Sequence, residues 1–332
     1  MRVQVLDVDP QAYQNHLVHA DDRMWLESNC AADLWIEVLH ALGLEPLAAM
    51  GFLFSAGFDG EQWRMFKFAM EDVRRLWGID AYEVNLWREL PFHLADQIAL
   101  GRMLTIDVDA WWLPDTEGLT YRTAHQKTTV AVQMIDPEAG RIGYFHNGGY
   151  YELDGEDYER LVGDPAVAVI PPYAEAIDLE HLRRGEDVRP LACELAREHL
   201  ARRPSGNPVA AMRKRIEDDL PWLIEAGLDT FHRYAFGSIR QCGSNAELAA
   251  DYVRWLAGDG GASDAASGDA AASKESEVAA EAFLAVSKKA KTLEFLLARA
   301  LRGKSVDLSD SMAEMESAWE EAIEASASLL HA

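Results

Sequence analysis

Cationic side chains are scarce: 31 Lys and Arg stand against 56 Asp and Glu, giving a formal net charge of −25 over 332 residues. Phosphate contacts need a net supply of Lys and Arg, so capture of nucleic acid by a general electrostatic footprint is not expected. Cysteine is scarce too. Cys30, Cys193 and Cys242 are too few and too scattered for a disulfide framework or a closely spaced zinc site, and a reducing compartment follows. Glycine-rich phosphate signatures of the P-loop kind are missing, so nucleotide hydrolysis has no support. No apolar run approaches the ~18 residues needed to span a bilayer, and the start lacks a basic segment followed by a signal-type apolar core. The expectation is a soluble cytoplasmic protein without nucleic-acid or membrane partners.

Aromatic and aliphatic side chains are plentiful. Nearly half of the residues are apolar and ten are tryptophan, which argues for a folded chain over most of the length. At this length two domains are the first expectation. Local basic clusters exist at Arg202, Arg203, Arg213, Lys214 and Arg215, and at Lys288, Lys289 and Lys291. They read as solvated helix faces, or more sharply as a dock for an acidic partner.

Between residues 25 and 160, segments of helical and strand period alternate, a mixed α and β pattern. The clearest helix begins at Cys30: Ser28 or Asn29 supplies the N-cap, Leu34, Val38 and Leu42 recur every four residues, and Gly43 stops it. Phe92–Leu100 reads as a helix and Met103–Trp111 as a strand. Lys127–Ile135 and Arg141–Tyr151 form an expected hairpin about the turn at residues 136–140, with His125 opening its first strand. After Pro171-Pro172 the pattern is helical. Asn207-Pro208 marks a helix start, and Ser244 with Glu247 and Ser311 with Glu314 have capping-box spacing. Residues 258–273, nearly all Gly, Ala, Ser and Asp, read as a flexible linker. Two apolar stripes follow, Ala279 to Ala300 and Met312 to Leu329, as expected for two antiparallel helices. The domains are therefore expected at 1–175, α+β with an antiparallel sheet, and at 176–332, all-α.

A thiol in the first turn of a helix faces unpaired N–H groups and the positive end of the macrodipole, which makes Cys30 a candidate nucleophile. His125 is the candidate base. Asn147 is the first choice to orient the imidazole; a simple hairpin register sets it opposite Thr129, too far along the strand from His125 without a bulge, so Asp109 of the neighbouring strand is an open substitute. An oxyanion hole would use the Cys30 N–H with the Asn29 amide or another donor. Asp107 and Asp109 share a strand face; a polar face is favoured over a metal pair there, and no metal or bound cofactor is expected.

The run Trp25-Leu26-Glu27-Ser28-Asn29-Cys30, then Gly101 to Pro114 with Asp107-Val108-Asp109, then Leu113-Pro114-Asp115 and Tyr121 to His125, resembles the butirosin-biosynthesis acyltransferase family over residues 25–155. More closely, Asn29-Cys30, Asp33 to Glu37, Asp59-Gly60 with Gln62-Trp63, Leu113 to Thr116, His125 with Lys127 to Thr129, Tyr144 to Asn147, and Phe231-His232 through Arg240-Gln241 resemble an uncharacterised bacterial domain-of-unknown-function family. The first resemblance implies a papain-like cysteine-peptidase-type fold and transfer of an acyl, or aminoacyl, group from the phosphopantetheine thioester of an acidic carrier protein to a small amine. It implies Cys30 as nucleophile, His125 as base and Asn147 where relatives tend to have Asp; Met24 stands where papain-like enzymes usually have glutamine. Glu27, Asn29, Asp59, Gln62, Trp63, Asp107, Asp109, Tyr121 and His146 are candidates for supporting or substrate-binding roles. A thiol hydrolase (peptidase, amidase or thioesterase) on the same site and a non-catalytic binding module are the alternatives.

Overall fold

Apolar residues at every second position of 103–109 and 127–136 fit half of a sheet face each, and those segments are strands at the centre of an antiparallel sheet. The computed structural model describes residues 1–164, 171–258 and 270–331. It is α+β, with an antiparallel sheet in the N-terminal half and a helical C-terminal region. Two compact units are distinguished: Met1–Ala20 with Cys30–Pro46 and Ala69–Glu186, and Asp21–Asn29 with Leu47–Phe68 and Asp187–Ala332.

In the first unit the elements run β1 (Val3–Gln4), α1 (Cys30–Ala41), α2 (Met70–Trp77), β2 (Asp80–Glu83), α3 (Leu90–Ala99), β3 (Met103–Asp109), β4 (Lys127–Asp136), β5 (Arg141–His146), β6 (Gly149–Asp154), the single turn α4 (Gly155–Tyr158) and β7 (Ala174–Asp178). The expected 175/176 boundary falls inside β7. The strand order is β2-β7-β3-β4-β5-β6, with every pair antiparallel, and β1 pairs with the far end of β4. Between Val132 and Met134 the β4–β5 register shifts by one residue, a bulge at Gln133. The buried Gln133 amide is engaged at both ends, accepting from the Leu6 N–H at 2.9 Å and donating to Tyr150 Oη at 2.7 Å.

Leu90, Leu94 and Ile98 of α3 pack with Leu104, Ile106, Val108, Val130, Val132, Ile142 and Tyr144 to form the core on one face of the sheet. α1 covers β4, β5 and β6 on the other face, where the Tyr13 ring bridges them: its hydroxyl donates to Glu37 at 2.6 Å and its ring meets Phe145 edge-on at 5.8 Å. α1 starts at Cys30, and Gly43 with φ +73° ends the turn beyond it, as the periodicity predicts. The expected strand Arg141–Tyr151 is instead two strands. His146, Asn147, Gly148 and Gly149 make a tight turn between β5 and β6, with Asn147 at φ +46°. Asn-Gly is a strong hairpin signal, and here it overrides the β-rich composition on both sides.

The second unit contains α5 (Arg189–Ala201), α6 (Pro208–Ala226), α7 (Leu228–Ala235), α8 (Gln241–Leu256), α9 (Ala270–Leu301) and α10 (Ser309–His331). Asn207 caps α6 through Oδ1, accepting from the N–H groups of Val209 and Ala210. Two expected caps lie elsewhere. Ser244 is inside α8, where its hydroxyl donates to the Arg240 carbonyl, and Glu247 accepts the N–H groups of Met24 and Trp25. α10 starts two residues before Ser311, with the Ser309 N–H donating to Asp307. α9 and α10 pack together through the two predicted stripes, all buried, including Phe283, Leu293, Leu297, Met315 and Trp319. Of the expected 258–273 linker, residues 259–269 lie outside the described residues, and Ala270 opens α9. Among the described residues no helix is long and apolar enough to cross a membrane.

Candidate functional site

The segment joining β3 to β4 is gathered at its base by one carboxylate. Asp109, the last residue of β3, accepts the N–H groups of Trp111 (3.1 Å) and Gln126 (3.2 Å) with Oδ1, while the Ala110 N–H donates to the Gln126 carbonyl. Its other oxygen, Oδ2, lies 2.6 Å from His125 Nδ1. Burial alone would raise the Asp109 carboxyl. The hydrogen bonds from His125 and from the Trp111 and Gln126 N–H groups outweigh it and hold the carboxyl below its ordinary range. Hydrogen bonding to a carboxylate fixes the proton on Nδ1, so Nε2 is the nitrogen left to exchange a proton. The imidazole lies flat on the Trp111 ring, with centroids 4.4 Å apart and planes 13° from parallel. It is nonetheless open to water, its side chain 69% exposed. A cavity of about 560 Å³ lies beside it, lined by Asp107, Asp109, Trp112, Lys127, Arg160 and Pro172 among others.

Strand alternation sorts the polar groups by face. Leu104, Ile106 and Val108 belong to the α3 face, so Asp107 and Asp109 belong to the face that α1 covers. Their cross-strand partners Thr129 and Lys127 share it, and Asp107 accepts from the Thr129 hydroxyl at 2.7 Å and pairs with Lys127 at 3.0 Å. Cys30 is the first residue of α1, partly exposed and not in a disulfide. Among the described residues no hydrogen bond joins it to His125.

His146 and Asn147 have other surroundings. His146 is on the α3 face with a side chain 2% exposed; Nδ1 meets Asp115 Oδ2 at 2.5 Å and Nε2 meets the Thr128 hydroxyl at 2.8 Å, while Tyr144 Oη donates to the second Asp115 oxygen at 2.6 Å. Asn147 is in the β5–β6 turn. The group bonded to His125 is thus Asp109, not Asn147. Tyr121 Oη donates to Asp157 at 2.9 Å, and Arg122 pairs with the same carboxylate.

The remaining candidates belong to the helical unit. Asn29 Nδ2 donates to the Phe66 carbonyl (3.0 Å) and to Gln241 Oε1 (3.3 Å), and the Glu27 carbonyl accepts from Arg240. Asp59 Oδ1 caps a turn by accepting the N–H groups of Glu61 and Gln62; Trp63, fully buried, donates from Nε1 to Asn245. Half of the basic residues singled out in this unit are matched by acids: Arg213 by Glu217 and Glu316, Arg215 by Asp219, Lys289 by Glu314, Lys291 by Glu294.

Sequence reasoning overlooked a third histidine–carboxylate cluster. His19 Nδ1 lies 2.5 Å from Glu37 Oε1 and its Nε2 3.4 Å from Asp33, one helical turn after Cys30. Burial lowers the His19 pKa, but the Asp33 and Glu37 carboxylates more than reverse this and push it up to about 9, so the imidazolium is the resident form at neutral pH. The ring passes close to the β5–β6 turn, where a Cβ on Gly148 would come within 2.9 Å of His19 Cγ. Only glycine fits there without a shift. Among the described residues no group of three or more His, Cys, Asp or Glu is arranged to hold a metal ion.

Models of two family domains match the chain: the DUF1839 N-terminal domain over residues 14–179 and the DUF1839 C-terminal domain over residues 186–328. No curated protein matches it.

Proposed function

The chain belongs to the two-domain DUF1839 family, and we propose that it is a cysteine-dependent acyltransferase on a papain-like scaffold, with Cys30 as nucleophile, His125 as base and Asp109 orienting the imidazole. The observation that carries this reading is the sorting of faces: the helix headed by Cys30 covers the side of the sheet to which Asp109 belongs, and Asp109 holds Nδ1 of a water-accessible histidine. A first-turn thiol supplies the nucleophile, and an acid-oriented imidazole supplies proton transfer.

In this scheme the Cys30 thiolate attacks the carbonyl of an acyl thioester, the carrier's phosphopantetheine thiol departs with the proton held on His125 Nε2, and an acyl-enzyme remains. An amine then attacks it. Nε2 takes the amine proton as the amide forms and Cys30 is released. The carrier-protein donor rests on the resemblance of the N-terminal half to the butirosin-biosynthesis acyltransferase, since half of the basic residues in the clusters of the helical unit are already paired with its own acids. Hydrolysis of the same acyl-enzyme is the second reading, and the exposure of His125 favours it by admitting water.

Deacylation of a carrier protein loaded with acetyl or glycyl thioester tests the scheme. Wild type releases the acyl group faster than the spontaneous rate and Cys30→Ala does not; equal rates for the two proteins overturn the proposal in favour of a binding module. With the wild-type protein, a product amide that appears only when an amine is added identifies a transferase, and free acid in the same yield with and without amine identifies a hydrolase.

A further inference from the structure

The helical unit carries a second cavity, of about 490 Å³ and open to solvent on one side, which takes no part in the chemistry above. Its volume is in the range of small-molecule sites, roughly 300–1,000 Å³. Phe54, Trp319 and Ile323 give it an apolar wall. The Trp319 ring is held edge-on by Trp63 at 5.2 Å and Phe283 at 5.8 Å, so that wall is rigid.

Charges of both signs line the same cavity. Arg203 follows α5 and donates from Nη1 to the Leu200 carbonyl at 2.9 Å; it makes no ion pair among the described residues. Glu324 of α10 makes none among the described residues either; only its backbone carbonyl is engaged, accepting from the Ser328 hydroxyl. Their neighbours differ. Glu320, also at the cavity, accepts from Asn207 at 3.1 Å, and elsewhere in this unit Arg213, Arg215, Arg254 and Lys289 each have a carboxylate partner. A free guanidinium and a free carboxylate beside one aromatic wall make a pattern complementary to a ligand that carries both charges on an apolar body.

We infer that this cavity binds a small zwitterion, of the chemical class of free amino acids with aromatic or branched side chains. The ligand carboxylate takes the forked donors of Arg203, its ammonium takes Glu324, and its apolar body lies against Trp319, Phe54 and Ile323. A ligand lacking either charge leaves one exposed protein charge to water and forfeits that ion pair, so it binds more weakly.

Isothermal titration of the full chain with L-phenylalanine, phenethylamine and 3-phenylpropionate tests this. Phenylalanine binds, and each single-charge analogue binds about tenfold or more weakly, a difference of ~1.4 kcal/mol. Arg203→Met removes the preference for phenylalanine over phenethylamine, and Glu324→Gln removes the preference over 3-phenylpropionate, with thermal unfolding confirming that both variants fold. Absence of binding by phenylalanine and leucine at millimolar concentration overturns the inference, as does equal binding of the three probes or unchanged binding by both variants. Cys30→Ala binds phenylalanine as wild type does, so failure of the acyl-transfer scheme and failure of this site are read separately.

Discussion

Two histidine–aspartate pairs occupy opposite faces of one sheet at nearly equal separations, 2.6 Å for His125–Asp109 and 2.5 Å for His146–Asp115. In the inner pair every polar atom is engaged: Thr128 takes Nε2, Tyr144 takes the second carboxylate oxygen, and both side chains of the pair are 2% exposed. In the outer pair the carboxylate is equally engaged, but Nε2 has no hydrogen bond among the described residues and the ring faces water beside a cavity. The same two residue types therefore do different work. A closed network fixes backbone segments to each other, here the 114–116 turn to β5, whereas a pair with one nitrogen open is able to move a proton.

The comparison breaks most visibly in stability. His146→Ala leaves the buried Asp115 carboxylate without its partner and is expected to cost about 3–5 kcal/mol, read as a shift in urea midpoint at constant slope. His125→Ala, at a largely exposed site, changes stability by about 0.5 kcal/mol or less in the same assay. Equal losses in the two variants remove the distinction.

The His19 cluster adds a pH signature. Its folded-state pKa of about 9 is above the ordinary 6.5, so its stabilising contribution is complete below pH 6.5 and is lost as pH rises through 9. Unfolding free energy falls on the order of 3 kcal/mol across that window. His19→Gln flattens this part of the profile, and an unchanged slope in the variant assigns the loss to other groups.

Catalytic effects come next. Asp109→Asn keeps a hydrogen-bond partner for the imidazole but removes the negative charge, and lowers acyl turnover about 10²-fold, while the corresponding Asp115→Asn lowers stability and leaves turnover per folded molecule unchanged. The smallest effect is expected at the stacking ring: Trp111→Ala weakens the orientation of His125 by about 1 kcal/mol, a several-fold loss in rate.

Much of this arrangement is legible in the sequence because its signals are local. The first turn of α1 at Cys30, its stop at Gly43, the opening of β4 after His125 and the paired stripes of α9 and α10 follow from periodicity, capping and glycine within one element. The partners of the histidines are not local. Asp109 meets His125 because β3 and β4 pair Asp109 with Lys127, and the long segment between the strands hides that register; its place on the neighbouring strand made Asp109 a substitute, with Asn147 the first choice. Asp115 and His146 are 31 residues apart, and the sequence marks Asp115 only as part of the run Leu113-Pro114-Asp115 that carries the resemblance. Asn147 was displaced by its own backbone, since Asn-Gly at a strand end makes a turn. The misplaced caps at Ser244 and Ser311 have a similar cause: a serine with an acid three residues on caps a helix only where the helix begins, and at Ser244 the preceding turns were already helical.

The acyl-enzyme is the most direct test of the central claim. After exposure of the intact protein to acetyl- and glycyl-loaded carrier protein, followed by acid quenching and peptide mapping, wild type should gain one acyl mass, located on Cys30. Asp109→Asn should gain it more slowly and Cys30→Ala not at all. An adduct that forms equally in Cys30→Ala, or none in the wild type under conditions where it deacylates the carrier, contradicts the account.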